Sequence, residues 1–390
     1  MDKPLNSKRT EEITSFIVMD VLEKASEMEC QGQDVIHLEV GEPDFDTPDC
    51  VKEAACRAIN DGFTHYTHSL GLLELREAIC RYYRDTYRVA VSPDQVLVTS
   101  GTSPAMFILF ATLLDPGDEV IISDPHYACY PNFIKFADGS PVLVPVTEAE
   151  GFQYRPEDIV SRLGTRTKGI LINSPANPTG NVLSRERIQA IADITADSPE
   201  TFIISDEIYH GLTYGESDHS ILEFTRRAFV LNGFSKLYAM TGLRLGYLIA
   251  PREFMRPMQK LQQNFFISAN AMVQQAGIAA LTRAAEDVEK MRQTYDRRRR
   301  FMIRRLREMG LGITVEPTGA FYVFANVKHI SKDSYQLAFD ILKHACVGVT
   351  PGIDFGPHGE GYLRFSYANS MANIEEGMHR LEGYLRSRGV

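Results

Sequence analysis

From about residue 95 to 250, short apolar runs rich in β-branched residues alternate with longer stretches in which apolar positions recur at helical spacing. The runs at 95–99, 119–123, 168–173, 201–205 and 228–232 predict strands, and 104–114 and 184–195 predict helices between them. Strands such as Gly-Ile-Leu-Ile-Asn (169–173) and Phe-Ile-Ile-Ser-Asp (202–206) lack polar alternation, as expected when helices cover both faces of a sheet. This alternation predicts an α/β fold with a largely parallel sheet. From about residue 285 the pattern changes. A long, highly charged helix is predicted over 286–309, then strands at 312–315 and 320–326, then a helix–strand–helix run to the C-terminus. That is an α+β module. A first helix near 13–31 is placed to pack beside it, because Gly41-Glu-Pro-Asp44 reads as a turn leading into the main sheet. The expected division is a large domain over 46–285 and a small one from 1–45 and 286–390, with no long linker between them.

Composition narrows the class. A chain of 390 residues with 44% hydrophobic content exceeds what one compact core usually serves and has ample apolar material for two lobes. The net charge of -10 is spread without acidic blocks, which argues against nucleic acid as a partner. No apolar run approaches the roughly 20 residues of a membrane span, and the first residues lack the apolar core of a secretory signal, so the expected address is cytoplasmic. The six cysteines form no CxxC pair and no metal-ligand spacing, and most are expected to be buried small hydrophobes. No metal site is predicted. His126, His210 and His344 read as structural or surface residues.

Four segments carry candidate chemistry. In Asn232-Gly-Phe-Ser-Lys-Leu-Tyr-Ala-Met-Thr-Gly-Leu-Arg-Leu-Gly-Tyr247 a lysine, Lys236, lies just past an apolar strand, where open α/β sheets gather their ligands. Desolvation there lowers a lysine's pKa, so that its neutral amine attacks a carbonyl. Arg244 is suited to grip a phosphate bidentately. Alternatively, Lys236 is simply an exposed lysine after a strand. In Ile204-Ser-Asp-Glu-Ile-Tyr209 a carboxylate buried at a strand end needs a cation, such as the protonated nitrogen of a pyridine ring. Asp206 equally suits a helix cap, and Tyr209 a core position. Asn173-Ser-Pro-Ala-Asn-Pro-Thr-Gly180 is a rigid turn in which Asn177 is either a turn residue or an amide donor to a phenolate oxygen and a carboxylate. Finally, Thr99-Ser-Gly-Thr-Ser-Pro104 joins a strand to an apolar helix, an ordinary N-cap that is also a ready phosphate site. The absence of GxxxxGK[ST], of GxGxxG after a strand and of HExxH leaves nucleotide and zinc readings without support.

Together these segments resemble the class I/II aminotransferases of the fold-type-I pyridoxal-phosphate superfamily. The resemblance runs from Val35-Ile-His-Leu-Glu-Val-Gly-Glu-Pro-Asp-Phe-Asp-Thr-Pro48, through Tyr66-Thr-His-Ser-Leu-Gly-Leu-Leu-Glu-Leu-Arg-Glu-Ala78, to Gly361-Tyr-Leu-Arg-Phe-Ser-Tyr-Ala368. It implies a seven-stranded, mostly parallel sheet between helices, with the smaller α+β domain formed by both chain ends. It implies pyridoxal 5'-phosphate as cofactor, held by Lys236 as a Schiff base. Asp206 would pair with the ring nitrogen, Asn177 and Tyr209 would contact the phenolate oxygen, and Tyr127 would stack on the ring. Gly101, Thr102, Ser103, Ser235 and Arg244 would hold the phosphate, joined by Tyr66 from the partner subunit of a homodimer. Arg364 would bind the substrate α-carboxylate with help from the Gly41 backbone and Asn177.

The implied activity moves an amino group from an L-amino acid to a 2-oxo acid, in ping-pong order because one site serves both halves. Some aspartate-specific relatives place a lysine where this chain has Ser103, so a neutral, aromatic or broad substrate range is expected rather than strict aspartate use. Leu237 and Leu243 also depart from the family's frequent threonine and tryptophan and are expected to reshape the pocket. Phe16, Ile17 and Tyr335 receive no role. A carbon–sulfur β-lyase using the same lysine and cofactor is the alternative. A non-catalytic sensor would carry a basic DNA-binding domain ahead of this fold, and the 34 residues before Val35 are neither long nor basic enough for one.

Overall fold

The computed structural model describes residues 6–389. Among these residues twelve strands form: β1 (Ile36–His37), β2 (Val96–Thr99), β3 (Glu119–Asp124), β4 (Ser140–Pro145), β5 (Thr167–Asn173), β6 (Phe202–Asp206), β7 (Ala228–Gly233), β8 (Gly246–Ile249), β9 (Tyr322–Asn326), β10 (Val347–Gly348), β11 (Thr350–Pro351) and β12 (Tyr362–Ser366). Seven of them build one sheet in the order β2-β8-β7-β6-β5-β3-β4. β8 is antiparallel to both neighbours, and the remaining pairs are parallel.

Alternation along each strand sends its side chains into two cores. Val98, Ile121, Ile172, Ile203 and Val230 join the helices Leu73–Tyr87, Arg185–Ile194 and Ala271–Arg283 on one face. Leu97, Ile122, Leu171, Ile204 and Leu231 join Thr102–Leu113 and Arg252–Phe265 on the other. With both faces covered, these strands carry no polar row, which explains their unbroken apolar sequence. Helix Thr102–Leu113 is apolar around most of its circumference because it lies against the sheet and beneath Arg252–Phe265.

The chain ends form the smaller unit. Its antiparallel sheet has the order β11-β12-β9, and β1 pairs parallel with β10, tying the N-terminal segment to the C-terminal one. Helices Ile17–Cys30, Ala285–Glu308, Ser334–Ala345 and Met371–Ser387 pack around these strands. Arg298 reaches from the long helix to Asp44 in a two-pronged ion pair at 2.7 and 2.9 Å, pinning the turn after residue 41.

Several expectations are adjusted. β4 and β8 escaped the reading of hydrophobic runs: β4 is an edge strand carrying Pro141 and Pro145, and β8 is four residues directly after a loop-like motif. The run at 312–315 makes only an isolated bridge, Gly312 to Asn326. The first helix begins at Ile17, not near residue 13, after a short helix Lys8–Glu12. None of the six cysteines is fully buried, and Cys30 and Cys56 are exposed. Among the described residues no helix is long and apolar enough to cross a membrane.

β8 also supports the site. A methyl group on Gly246 would lie 2.7 Å from the Gly101 carbonyl carbon and 2.9 Å from the Thr102 nitrogen, both backbone atoms that cannot swing aside. Gly246→Ala should therefore cost about 1–3 kcal/mol of stability, checked by urea unfolding against the parent protein.

Candidate active site

The carboxyl ends of β2, β5, β6 and β7 converge, and the small sheet approaches them across a cavity of about 200 Å³. β6 ends at Asp206, which is buried. Its Oδ2 accepts a hydrogen bond from the Tyr130 hydroxyl at 2.7 Å, and its Oδ1 accepts the Ile208 N–H at 3.2 Å. Burial raises its pKa to about 6, against the pull of those two donors. It is a carboxylate with room for a cation.

Lys236 follows three residues after β7 ends at Gly233. Its ammonium donates to the Gly41 carbonyl at 2.6 Å. Burial lowers its pKa to about 8, with Arg364 and Arg244 adding to the effect and Glu42 and Asp206 opposing it. A substantial neutral fraction near pH 8 is what a carbonyl-attacking amine requires.

The turn after β5 is held by Asn173, whose Oδ1 accepts the Asn177 N–H at 2.8 Å and whose amide donates to the Asp206 carbonyl at 3.0 Å. Asn177 Oδ1 in turn accepts from Arg364 Nη1 at 2.8 Å. Arg364 stands on β12, 2% exposed, and its Nη2 donates to the Glu39 carbonyl at 2.5 Å and to Thr350 Oγ1 at 3.1 Å. The rings of Tyr322 and Phe355 lie 4.4 and 4.9 Å from the guanidinium carbon. Its Nε has no partner. A buried guanidinium with an open donor is a site for a carboxylate.

After β2 the chain turns at Gly101, with φ +97°, into helix Thr102–Leu113. The first N–H groups of a helix lack intrahelical acceptors and favour anions. Arg244 stands against this turn: a side chain at Gly101 would collide with its Nη2 at 2.6 Å. Thr99 Oγ1 donates to the Gly101 carbonyl at 2.7 Å, fixing the turn.

Gly41, Thr102, Tyr127, Asn177, Asp206, Tyr209, Lys236 and Arg364 line the cavity, as the sequence reading grouped them. Gly101 and Arg244 flank its Thr102 end. Ser103 is exposed, Ser235 is buried next to Lys236 in sequence, and neither lines the cavity. Tyr66 is 81% exposed and stands outside it.

The sequence reading missed Tyr130, Tyr322 and Phe16. Tyr130 stands three residues after Tyr127, one helical turn onward, and that spacing was a usable signal. Tyr322 bonds through its hydroxyl to Tyr209 at 2.8 Å and closes over Gly41, where a methyl would fall 1.9 Å from its oxygen. Phe16 packs edge-on against Tyr127 at 5.9 Å. No short-range pattern links Phe16 to a site more than a hundred residues away. Leu237 and Leu243 do not line the cavity.

A lysine at a parallel-strand end, a buried carboxylate and a buried arginine line one cavity between two lobes, the arrangement of the fold-type-I pyridoxal-phosphate proteins. The family model for aminotransferase class I and II matches residues 33–381, and the chain belongs to that family. It is 42% identical to the (5-formylfuran-3-yl)methyl phosphate transaminase of Methanocaldococcus jannaschii, covering 97% of this chain and 99% of that one. It is 41% identical to an aspartate aminotransferase of Pyrococcus horikoshii, covering 94% and 93%. The solved aromatic aminotransferase of Pyrococcus horikoshii superposes with a TM-score of 0.89 at 38% identity, covering 95% of this chain and 99% of that one. The fold is that of a pyridoxal-phosphate-binding family.

The residues fit this cofactor. Asp206 offers a buried carboxylate that is in no ion pair among the described side chains, and Gly101 leaves room for Arg244 at a helix start. Because only the neutral amine attacks the cofactor's aldehyde, loading of the cofactor-free protein should quicken as pH rises and level off above about 8. Stopped-flow absorbance across pH 6 to 10 (about two units either side of that value) checks this, and Lys236→Ala should show no covalent visible band.

Proposed function

We propose that this protein is an aminotransferase for neutral and aromatic L-amino acids, working with 2-oxo acids in ping-pong order. The observation that carries the substrate class is the cavity wall. Phe16, Val18, Met19, Met106 and Tyr127 supply an apolar surface, and among the described lining residues Lys236 and Arg364 are the basic ones. Both have other work. A distal carboxylate would meet no free cation there, and burying one unpaired is costly. Relatives of comparable identity carry aspartate, aromatic and phosphorylated-furan activities in their names, so identity does not choose among these classes.

In this reading Lys236 would hold the cofactor aldehyde, Asp206 would meet the ring nitrogen, and Tyr127 would pack on the ring. Asn177 and Tyr209 face its phenolic oxygen. Thr102, with Gly101 and Arg244 at that end of the cavity, would hold its phosphate. The cofactor supplies an electron-accepting ring that acidifies the substrate α-proton. The chain's residues do the rest. Arg364, which lines the cavity, would orient the α-carboxylate, and Asn177 fixes that guanidinium. Lys236 would carry the proton, because its lowered pKa of about 8 lets it accept and return one near neutral pH. Tyr322 and Phe355 keep water from the guanidinium.

Tyr66 would complete the phosphate site of a second copy. Its exposed ring is accompanied by exposed Ile59, Phe63, Leu73, Phe265 and Ile267, apolar residues of the sort a homodimer covers.

A donor panel with steady-state kinetics tests the substrate class: phenylalanine, alanine and similar donors should exceed aspartate in kcat/KM, and strong preference for aspartate would overturn it. Arg364→Leu should raise the KM of every donor, losing about 2–5 kcal/mol of carboxylate binding. Sedimentation should give a dimer, and Tyr66→Phe should weaken cofactor retention measured by equilibrium dialysis.

A further inference from the structure

The apolar wall stands on a helix start that cannot hold itself. Helix Ile17–Cys30 begins after Phe16, a residue with no capping oxygen, and no side chain of its own cap satisfies its first N–H groups. The missing acceptor comes from the far end of the chain. Asp354 Oδ1 accepts the Ile17 N–H at 2.9 Å, and Oδ2 accepts the Val18 N–H at 3.3 Å. Phe16, Val18 and Met19, which flank or carry these two donors, line the cavity. Asp354 itself does not line it and is 8% exposed.

We propose that Asp354 is a positioning residue for substrate specificity: by capping the Ile17–Cys30 helix it fixes the apolar wall against which the donor's side chain packs. This deepens the neutral and aromatic reading above and rests on it. A carboxylate near an N-terminus offers both hydrogen-bond acceptance and charge complementarity. Here the two oxygens are divided between two successive N–H groups, so loss of one oxygen leaves one donor orphaned and lets the first turn shift. A large side chain would feel that shift. The methyl group of alanine, which does not extend to the wall, would feel it less.

The surroundings make the cap sensitive to protonation. Asp20 faces Asp354 from the helix it caps, Arg364 from β12, and Cys129 from the start of helix Tyr130–Phe136. Helix Ser334–Ala345 contributes the neutral Ser334, whose Oγ accepts the Ile353 N–H at 3.2 Å. His358 on the following turn is engaged by Asp124 at 2.7 Å. Burial raises the Asp354 pKa to about 6, against the pull of the Ile17 N–H and Arg364. Protonation converts one acceptor oxygen into a hydroxyl and weakens the cap. The wall should therefore loosen as pH falls through about 6 and be fully held above it.

The test uses the loaded enzyme and the ratio of kcat/KM for phenylalanine to that for alanine. Groups that serve both donors equally, Lys236, Asp206 and Arg364 among them, cancel in this ratio. Asp354→Asn, which turns one acceptor oxygen into an N–H donor, should lower the ratio by up to about tenfold, the order set by the roughly 1 kcal/mol a lost cap hydrogen bond costs, chiefly through KM for phenylalanine. In the wild type the ratio should fall as pH drops through about 6, and the Asn variant should show a flat profile. The wild-type profile needs no variant to fold. A flat wild-type ratio, or equal loss for both donors in Asp354→Asn, would overturn the positioning role while leaving the substrate class intact. A wild type that prefers aspartate over both donors would instead overturn the substrate class.

Discussion

Arg364 is a full positive charge placed almost entirely out of water, and the two lobes meet around the consequences. A guanidinium in such a place is tolerated only when its donors are engaged and its surroundings polarised. The Glu39 carbonyl, Thr350 and Asn177 supply three acceptors, drawn from the N-terminal segment, the small sheet and the turn after β5. Tyr322 and Phe355 supply π faces that favour a cation at short range. These partners fix the relative placement of three distant segments. What they leave unpartnered is the buried Nε, together with one N–H of Nη1, on a residue that lines the cavity.

The same charge reaches Lys236. Burial is the larger cause of that lysine's lowered pKa, but Arg364 acts in the same direction. The arginine assigned above to the substrate carboxylate thus also helps keep the neighbouring amine neutral. In the proposed reaction, a carboxylate bound at Arg364 would offset that contribution and make the lysine a better base. Binding and proton transfer are coupled through one electrostatic term rather than through a moving part.

The legibility of this site in the sequence follows the range of the interactions. The central strands were readable because burial on both faces leaves an unbroken apolar run, as in residues 169–173 and 202–206. Lys236, Asp206 and Asn177 were readable because strand ends and breaker residues mark positions where a sheet presents side chains. β4 and β8 were not, because edge prolines and short length erase the pattern. Phe16 and Asp354 were invisible for a different reason. The proposed wall depends on the hydrogen bond from the Ile17 N–H to Asp354, 337 positions apart in sequence, and nothing local to either end records it. The resemblance supplied Tyr127 and Arg364, whose roles no nearby spacing would have given.

Asp206 and its neighbour Glu207 show how partners, not residue type, decide function. Both are buried, and burial raises the pKa of each. Glu207 points to the opposite side, where Tyr83, Ser205, Ser220 and the Ile221 N–H donate to it at 3.0–3.2 Å, with His210 at 3.6 Å. Three of these donors crowd onto Oε1 and Tyr83 takes Oε2, so Glu207 is engaged from four sides. Asp206 receives two donors, one on each oxygen, and keeps capacity for a further one. A cationic ring nitrogen arriving in the cavity therefore finds its counter-charge at Asp206 and not at Glu207. The more engaged carboxylate anchors the strand end, and that anchoring keeps the other one aimed into the cavity.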